Sequence, residues 1–211
     1  MDNYKETFET WNKIAKIYQD KFMDLDLYND TYNSFINLIT KPNATVLEIG
    51  CGPGNIAKYL LSKNPRLKLI GIDVSENMIA LAKQNNPTAE FKQMDCRNVG
   101  KLQSKFDAII CGFCIPYLSK TDCLTLIHNC KELLNAKGIL YLSFVEGCYD
   151  SSGFISGSSG DRTYFYYHSL QTIEKALNVN SFTIKESMNI VYKKSDTVEE
   201  IHTILLSKKK N

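Results

Sequence analysis

Residues 46–55 read VLEIGCGPGN, an apolar run interrupted by Glu48 that ends in three alternate glycines, Gly50, Gly52 and Gly54. Glycine adopts backbone angles closed to other residues and lets main-chain atoms approach a ligand closely. Gly50, Cys51 and Gly52 therefore make a candidate ligand-holding turn, with Asn55 opening the helix that follows. A dinucleotide turn spaces its glycines G-x-G-x-x-G and sets a pyrophosphate on the next helix. Here the third glycine comes one residue early, and the Glu48 carboxylate would repel a pyrophosphate while suiting a ligand with ammonium or sulfonium charge. Two more acids recur downstream, Asp73 in GIDVS and Asp95 in MDC. Asp73 offers two acceptor oxygens to ribose hydroxyls, and Asp95 can accept the hydrogens of an exocyclic adenine amine. One such acid is commonly a helix cap. Three beside a glycine turn describe a site for a cationic adenosine.

The elements that must position these residues alternate from Pro42 onward. The pattern predicts strands at 45–49, 67–73, 89–94, 106–112 and 139–145. Helices are expected at 55–62, 76–84 (capped by Ser75) and 121–134, the last closed by Lys137-Gly138. The first, fourth and fifth strands are nearly continuous apolar runs, as in a parallel sheet covered on both faces. This is an α/β doubly wound pattern, in which ligands lie beyond the carboxyl ends of the strands. Ahead of it, Phe8, Trp11, Ala15, Tyr18 and Phe22 share one helical face, and a second helix is expected at about 29–39. After the fifth strand, residues 146–161 hold four glycines and five serines, a loop composition. A short helix at about 169–178 and an antiparallel pair, 182–192 and 200–206, joined by the turn KKSDTVEE, complete the chain.

The 211 residues fit one domain, and 23% charged with 44% hydrophobic residues is an ordinary composition. No apolar run reaches the ~18 residues of a membrane span, and MDNYKETFET lacks a signal region, so a cytoplasmic protein is expected. Net charge is +2, and only three of 25 basic residues are arginine, which disfavours nucleic acid as a partner. The seven cysteines form no spaced framework and read as reduced thiols. Cys111-Gly-Phe-Cys114 lacks the second pair that a zinc site needs, so no metal is expected.

The segments VLEIGCGPGN, GIDVSENMI, FKQMDCRNV, FDAIICGFCIPYL and LLNAKGILYLSF, in this order and spacing over residues 42–145, resemble the successive motifs of class I S-adenosylmethionine-dependent methyltransferases. The small-molecule type, including enzymes of quinone biosynthesis, is most similar. The resemblance implies a Rossmann-like seven-stranded sheet with its last strand antiparallel and an N-terminal helical lid at 1–41. The core at 42–145 would hold the cofactor, and 146–211 would supply the substrate loop and closing strands. It further implies S-adenosyl-L-methionine as cofactor and S-adenosyl-L-homocysteine as product. Gly50 and Gly52 would line the methionine moiety, Asp73 would hold the ribose, and Val74 and Met78 would flank the adenine. Asp95 would meet the adenine amine, Cys96 would offer a neighbouring amide, and Cys111 would end the fourth strand beside the methionine part. Ala15-Lys-Ile-Tyr18 is similar to an A-x-x-Y helix whose tyrosine covers the methionine end.

For the acceptor, the aromatic residues nearest the expected pocket are Trp11, Phe113, Tyr117 and Tyr149. In the segment 164–168, Tyr164, Tyr166 and His168 alternate with Phe165 and Tyr167, so the first three could face a pocket together. His168 is the candidate general base and Tyr117 a second catalytic candidate. His128 and His202 read as structural. Adenine-amino methyltransferases of nucleic acids carry D/N/S-P-P-Y/F/W after the fourth strand, whereas this chain has Cys114-Ile-Pro116-Tyr117. The expected acceptor is accordingly a small, aromatic or partly apolar molecule, and the protein a monomer or homodimer. The alternatives are an RNA or protein methyltransferase, a nicotinamide dehydrogenase, and a binding module without turnover.

Overall fold

A computed structural model describes residues 3–157, 160–195 and 198–210. Its strands are β1 (Thr45–Ile49), β2 (Lys68–Asp73), β3 (Glu90–Gln93), β4 (Phe106–Cys111), β5 (Leu134–Val145), β6 (Gly153–Ser156), β7 (Arg162–Phe165), β8 (Phe182–Ser195) and β9 (Val198–Lys209). Its helices are α1 (Asn3–Lys13), α2 (Ala15–Phe22), α3 (Asn29–Leu38), α4 (Asn55–Lys63), α5 (Glu76–Asn85), α6 (Lys120–Leu133) and α7 (Leu170–Val179). Seven strands form one sheet in the order β3-β2-β1-β4-β5-β9-β8. The first five are parallel, and β9 runs antiparallel between β5 and β8. This is the expected Rossmann-like doubly wound sheet, with the last strand inserted ahead of its predecessor.

Apolar residues on both faces of β1 and β4 serve two cores. Leu47, Ile49 and Ile109 pack with Leu126 and Ile127 of α6, whereas Val46 and Ile110 pack with Phe35 and Leu60 of α3 and α4. Every connection between parallel strands returns across a face of the sheet. All five carboxyl ends therefore point the same way, and the strand order reverses between β1 and β4.

Three sequence expectations are corrected. The aromatic stripe of residues 8–22 lies on two helices, broken at Ile14 (φ −93°, ψ 10°), so α2 can turn over the sheet independently of α1. Strand β5 begins five residues early, at Leu134 opposite Phe106, because α6 ends at Leu133 and the left-handed Lys137 (φ 62°) bends the chain into register. The stretch 146–161 is not all loop. It contains a 3-10 turn at Tyr149–Ser151 and strand β6, paired antiparallel to β7 in a two-stranded sheet. Ser158 and Ser159 of that stretch, and Asp196 and Thr197 of the turn before β9, lie outside the described residues. Among the described residues no helix is long and apolar enough to cross a membrane.

Candidate cofactor and acceptor site

At the end of β1 the chain turns through Gly50 (φ +70°) and Gly52 (φ +51°). A Cβ on Gly50 would stand 2.9 Å from that of Cys114, so any side chain there meets both left-handed strain and a collision. The turn is tied to β2. The N–H groups of Gly50 and Cys51 donate to the Ile72 carbonyl at 2.8 and 2.9 Å. Asp73 Oδ2 accepts from the Gly52 N–H and Oδ1 from the Ser75 N–H, both at 2.9 Å. Burial raises the Asp73 carboxyl above its usual range, opposed by the Ser75, Gly52 and Val74 amides. A carboxylate oxygen accepts more than one hydrogen bond, so the Asp73 oxygens keep acceptor capacity for a ligand.

Two adjoining chambers open on this turn. The first is walled by Asp73, Val74, Met78, Asp95 and Cys96, the residues expected around an adenosine. The second is aromatic, with Phe22, Tyr28, Tyr32, Phe165, Tyr167 and Tyr192 in its walls, and Asn55 at its floor. Gly50, Gly52, Trp11, Tyr18, Phe113 and Tyr117 belong to both, so they form the passage between the chambers. Trp11 makes edge contacts with Tyr18 at 5.5 Å and Tyr117 at 5.2 Å, and these rings roof the passage. Burial, followed by the charges of Asp73 and Glu48, pushes the Tyr18 phenol up to about 12, and it remains a neutral hydroxyl. Phe113 holds a left-handed backbone (φ 55°) fixed by its N–H donating to Ser143 Oγ at 2.8 Å. A bulky residue in that conformation is strained, and such strain concentrates at functional positions.

The roof is anchored. On α1, Asn12 Oδ1 accepts from Ser75 Oγ at 2.9 Å and from the Asn77 N–H at 3.0 Å. Thr10 Oγ1 donates to the Arg162 carbonyl at 2.8 Å, and Thr7 Oγ1 accepts from the Tyr164 N–H at 2.9 Å. Helix α1 is thus held between α5 and β7, which places Trp11 over the passage.

Several candidates stand elsewhere than expected. Glu48 is 1% exposed, lies behind the turn rather than in either wall, and has no hydrogen-bond partner on either carboxylate oxygen. Burial and then the Asp73 charge push its pKa well up. Cys51 and Cys111 are also buried behind the walls. Asp95 borders the first chamber, but its Oδ2 accepts from Arg97 Nε at 2.8 Å and its Oδ1 from the Arg97 N–H at 2.9 Å, so an adenine amine must share it. The alternation in 164–168 is correct and its direction is reversed. Phe165 and Tyr167 face the second chamber, whereas Tyr164 and Tyr166 stack on each other and on Phe154, Tyr149 and Tyr4 outside it. Tyr149 lies on the outer surface, 37% exposed. His168 is buried with Nε2 3.1 Å from the Leu118 carbonyl, and burial lowers its pKa. It holds the connection after β4 and reaches neither chamber. The reason is the pairing of β7 with β6 and its packing on α1, which commits the even-numbered side chains to that outer layer. His202, read from sequence as structural, lies instead in the wall of the second chamber. Alternation along β9 was the available signal, since His202 shares a face with Ile204 and Leu206 of the core beneath α3. Among the described residues no cluster of His, Cys, Asp and Glu could hold a metal ion.

A methyltransferase-domain family profile matches residues 46–138, the stretch from the glycine turn to the start of the β5 core run. Over that stretch, 93 of its 211 residues, the chain is similar to methyltransferase domains, and its fold is one that solved S-adenosylmethionine-dependent methyltransferases share. The 235L protein of Invertebrate iridescent virus 6 is 29% identical over 136 residues, 64% of this chain and 49% of that one. Demethylmenaquinone methyltransferase of Thermotoga maritima is 26% identical over 141 residues, 65% of this chain and 61% of the enzyme. The matches thus span about half to three-fifths of these two relatives' lengths. Among solved structures, magnesium protoporphyrin IX methyltransferase of Synechocystis with bound S-adenosylmethionine superposes with a TM-score of 0.72 at 20% identity, covering 99% of this chain and 98% of that one.

Proposed function

We propose that the protein transfers the methyl group of S-adenosylmethionine to a small, aromatic or partly apolar acceptor, with cofactor in the first chamber and acceptor in the second. The observation that carries this is the shared wall: one left-handed glycine turn and one ring of aromatics border both chambers. The residues present fit the cofactor. Asp73 has acceptor capacity for the ribose, and Val74 and Met78 are apolar flanks for the adenine. When bound, the cofactor supplies an electrophilic methyl on a sulfonium. The chain's own work is to align the acceptor and exclude water, which Trp11, Tyr18 and Tyr117 do as a roof. Names of the relatives support a small acceptor, and the few arginines and aromatic walls favour one over RNA.

The test is transfer of labelled methyl from S-adenosylmethionine into a metabolite extract, with identification of the product. A labelled small aromatic molecule is expected. Label appearing only in RNA or protein, or in nothing despite tight cofactor binding, contradicts the proposal.

A further inference from the structure

One end of the second chamber carries an ordered set of polar groups that cofactor binding does not use. His202 on β9 is 7% exposed and lies nearly parallel to Tyr192 of β8, ring centroids 5.0 Å apart. Its Nδ1 is 2.7 Å from the hydroxyl of Tyr28, which caps the start of α3. Its Nε2 is buried without a hydrogen-bond partner and stands 3.6 Å from Glu200 Oε2, an ion-pair distance. Glu200 Oε1 accepts from Lys194 Nζ at 2.7 Å. Tyr28, Tyr192, Lys194, Glu200 and His202 all border the second chamber, and Phe113 of the passage lies 4.8 Å from the His202 ring. A ring placed there for stacking alone has no need of a nitrogen buried beside a carboxylate, since the unpaired nitrogen costs its desolvation.

We propose that Tyr28, His202 and Glu200 form a proton relay that accepts the proton of an acceptor hydroxyl, so that the acceptor is a phenol or enol methylated on oxygen. This rests on the methyl-transfer reading. The Glu200 carboxylate favours the Nε2–H tautomer, which leaves Nδ1 to accept from the Tyr28 hydroxyl. As the acceptor oxygen exchanges its hydrogen for the methyl carbon, the C–S bonding electrons stay on sulfur. The acceptor's proton passes to the Tyr28 oxygen, and Tyr28's own proton passes to Nδ1. The resulting imidazolium faces Glu200 and then returns a proton to water. The charged and titratable groups facing His202 are Tyr28 beside α3, Tyr192 and Lys194 on β8, and Glu200 on β9 itself. Burial lowers the His202 pKa, opposed by Glu200 and reinforced by Lys194. The neutral, proton-accepting ring is therefore the state at neutral pH, and turnover falls only as pH drops below the ordinary histidine value of about 6.5.

The experiment has two readouts on the full chain. Nitrogen NMR of the imidazoles, with His202 assigned against H202Q among the three histidines, should show the Nε2–H tautomer. An Nδ1–H ring overturns the relay, and this readout stands even if a variant folds poorly. Labelled-methyl transfer to the product identified from the extract should fall roughly 100-fold in H202Q and Y28F, with S-adenosylmethionine affinity retained and the acid limb of the pH profile gone in H202Q. Wild-type-like turnover in H202Q, or methylation at an atom that loses no proton, overturns the relay and leaves methyl transfer intact. No labelled product from the wild type overturns both.

Discussion

Glu48 is the residue whose chemistry changes most between sequence and structure. As a letter in VLEIGCGPGN it reads as a charge facing the ligand; in the fold it is a buried carboxyl with two unpartnered oxygens. An acid whose folded pKa lies above its unfolded value favours folding below the unfolded value, about 4.3, and that contribution is lost as pH rises toward the folded one. At neutral pH Glu48 therefore works against stability. Glu48→Gln should melt no lower than wild type at pH 7 without cofactor, with its relative advantage shrinking toward pH 4. Thermal melts across pH without cofactor are the check; a variant that melts below wild type at pH 7 contradicts the assignment.

At the scale of elements, the amino ends of the central strands are clamped by Asp107 on β4. Its carboxylate accepts from the Thr45 N–H at 2.9 Å, Lys41 Nζ at 2.9 Å, Thr45 Oγ1 at 3.1 Å and Asn135 Nδ2 at 2.8 Å. Burial opposes the charge, but the Thr45 amide, Lys41 and Asn135 outweigh it and bring the pKa down to about 2. A depressed folded pKa contributes stability that is present above the unfolded value of about 3.9 and is lost as pH falls toward 2. Asp107→Asn should cost about 1–2 kcal/mol at pH 7, and the gap to wild type should close between pH 4 and 2. Chemical denaturation over that range is the check, and a gap independent of pH would show that the charge is not the cause. The elements themselves were legible where a pattern was strong. The bounds of β1, β2 and β4 and of α4 and α5 were read to within one residue, because apolar runs and the Ser75 cap are local signals. The hairpin β6–β7 was hidden by its glycines and serines, and its pairing depends on contacts with α1 that lie about 150 residues away.

For the whole molecule, the sequence carried the first chamber better than the second. Gly50, Gly52, Asp73, Val74, Met78, Asp95 and Cys96 come from consecutive strand ends, so the order of motifs alone brings them together. The second chamber draws on α2, α3, β7, β8 and β9, and only the tertiary fold decides which face of each turns inward. Tyr164, Tyr166 and His168 were assigned to the wrong face for this reason, Tyr28 went unnoticed, and His202 was read as structural. The central claim is that the glycine turn serves a cationic adenosine and not a dinucleotide. Calorimetric titration of the wild-type chain with S-adenosylmethionine and, separately, with NAD tests it most directly. Saturable binding of S-adenosylmethionine with none of NAD is the predicted result; tight NAD binding without S-adenosylmethionine binding would contradict it.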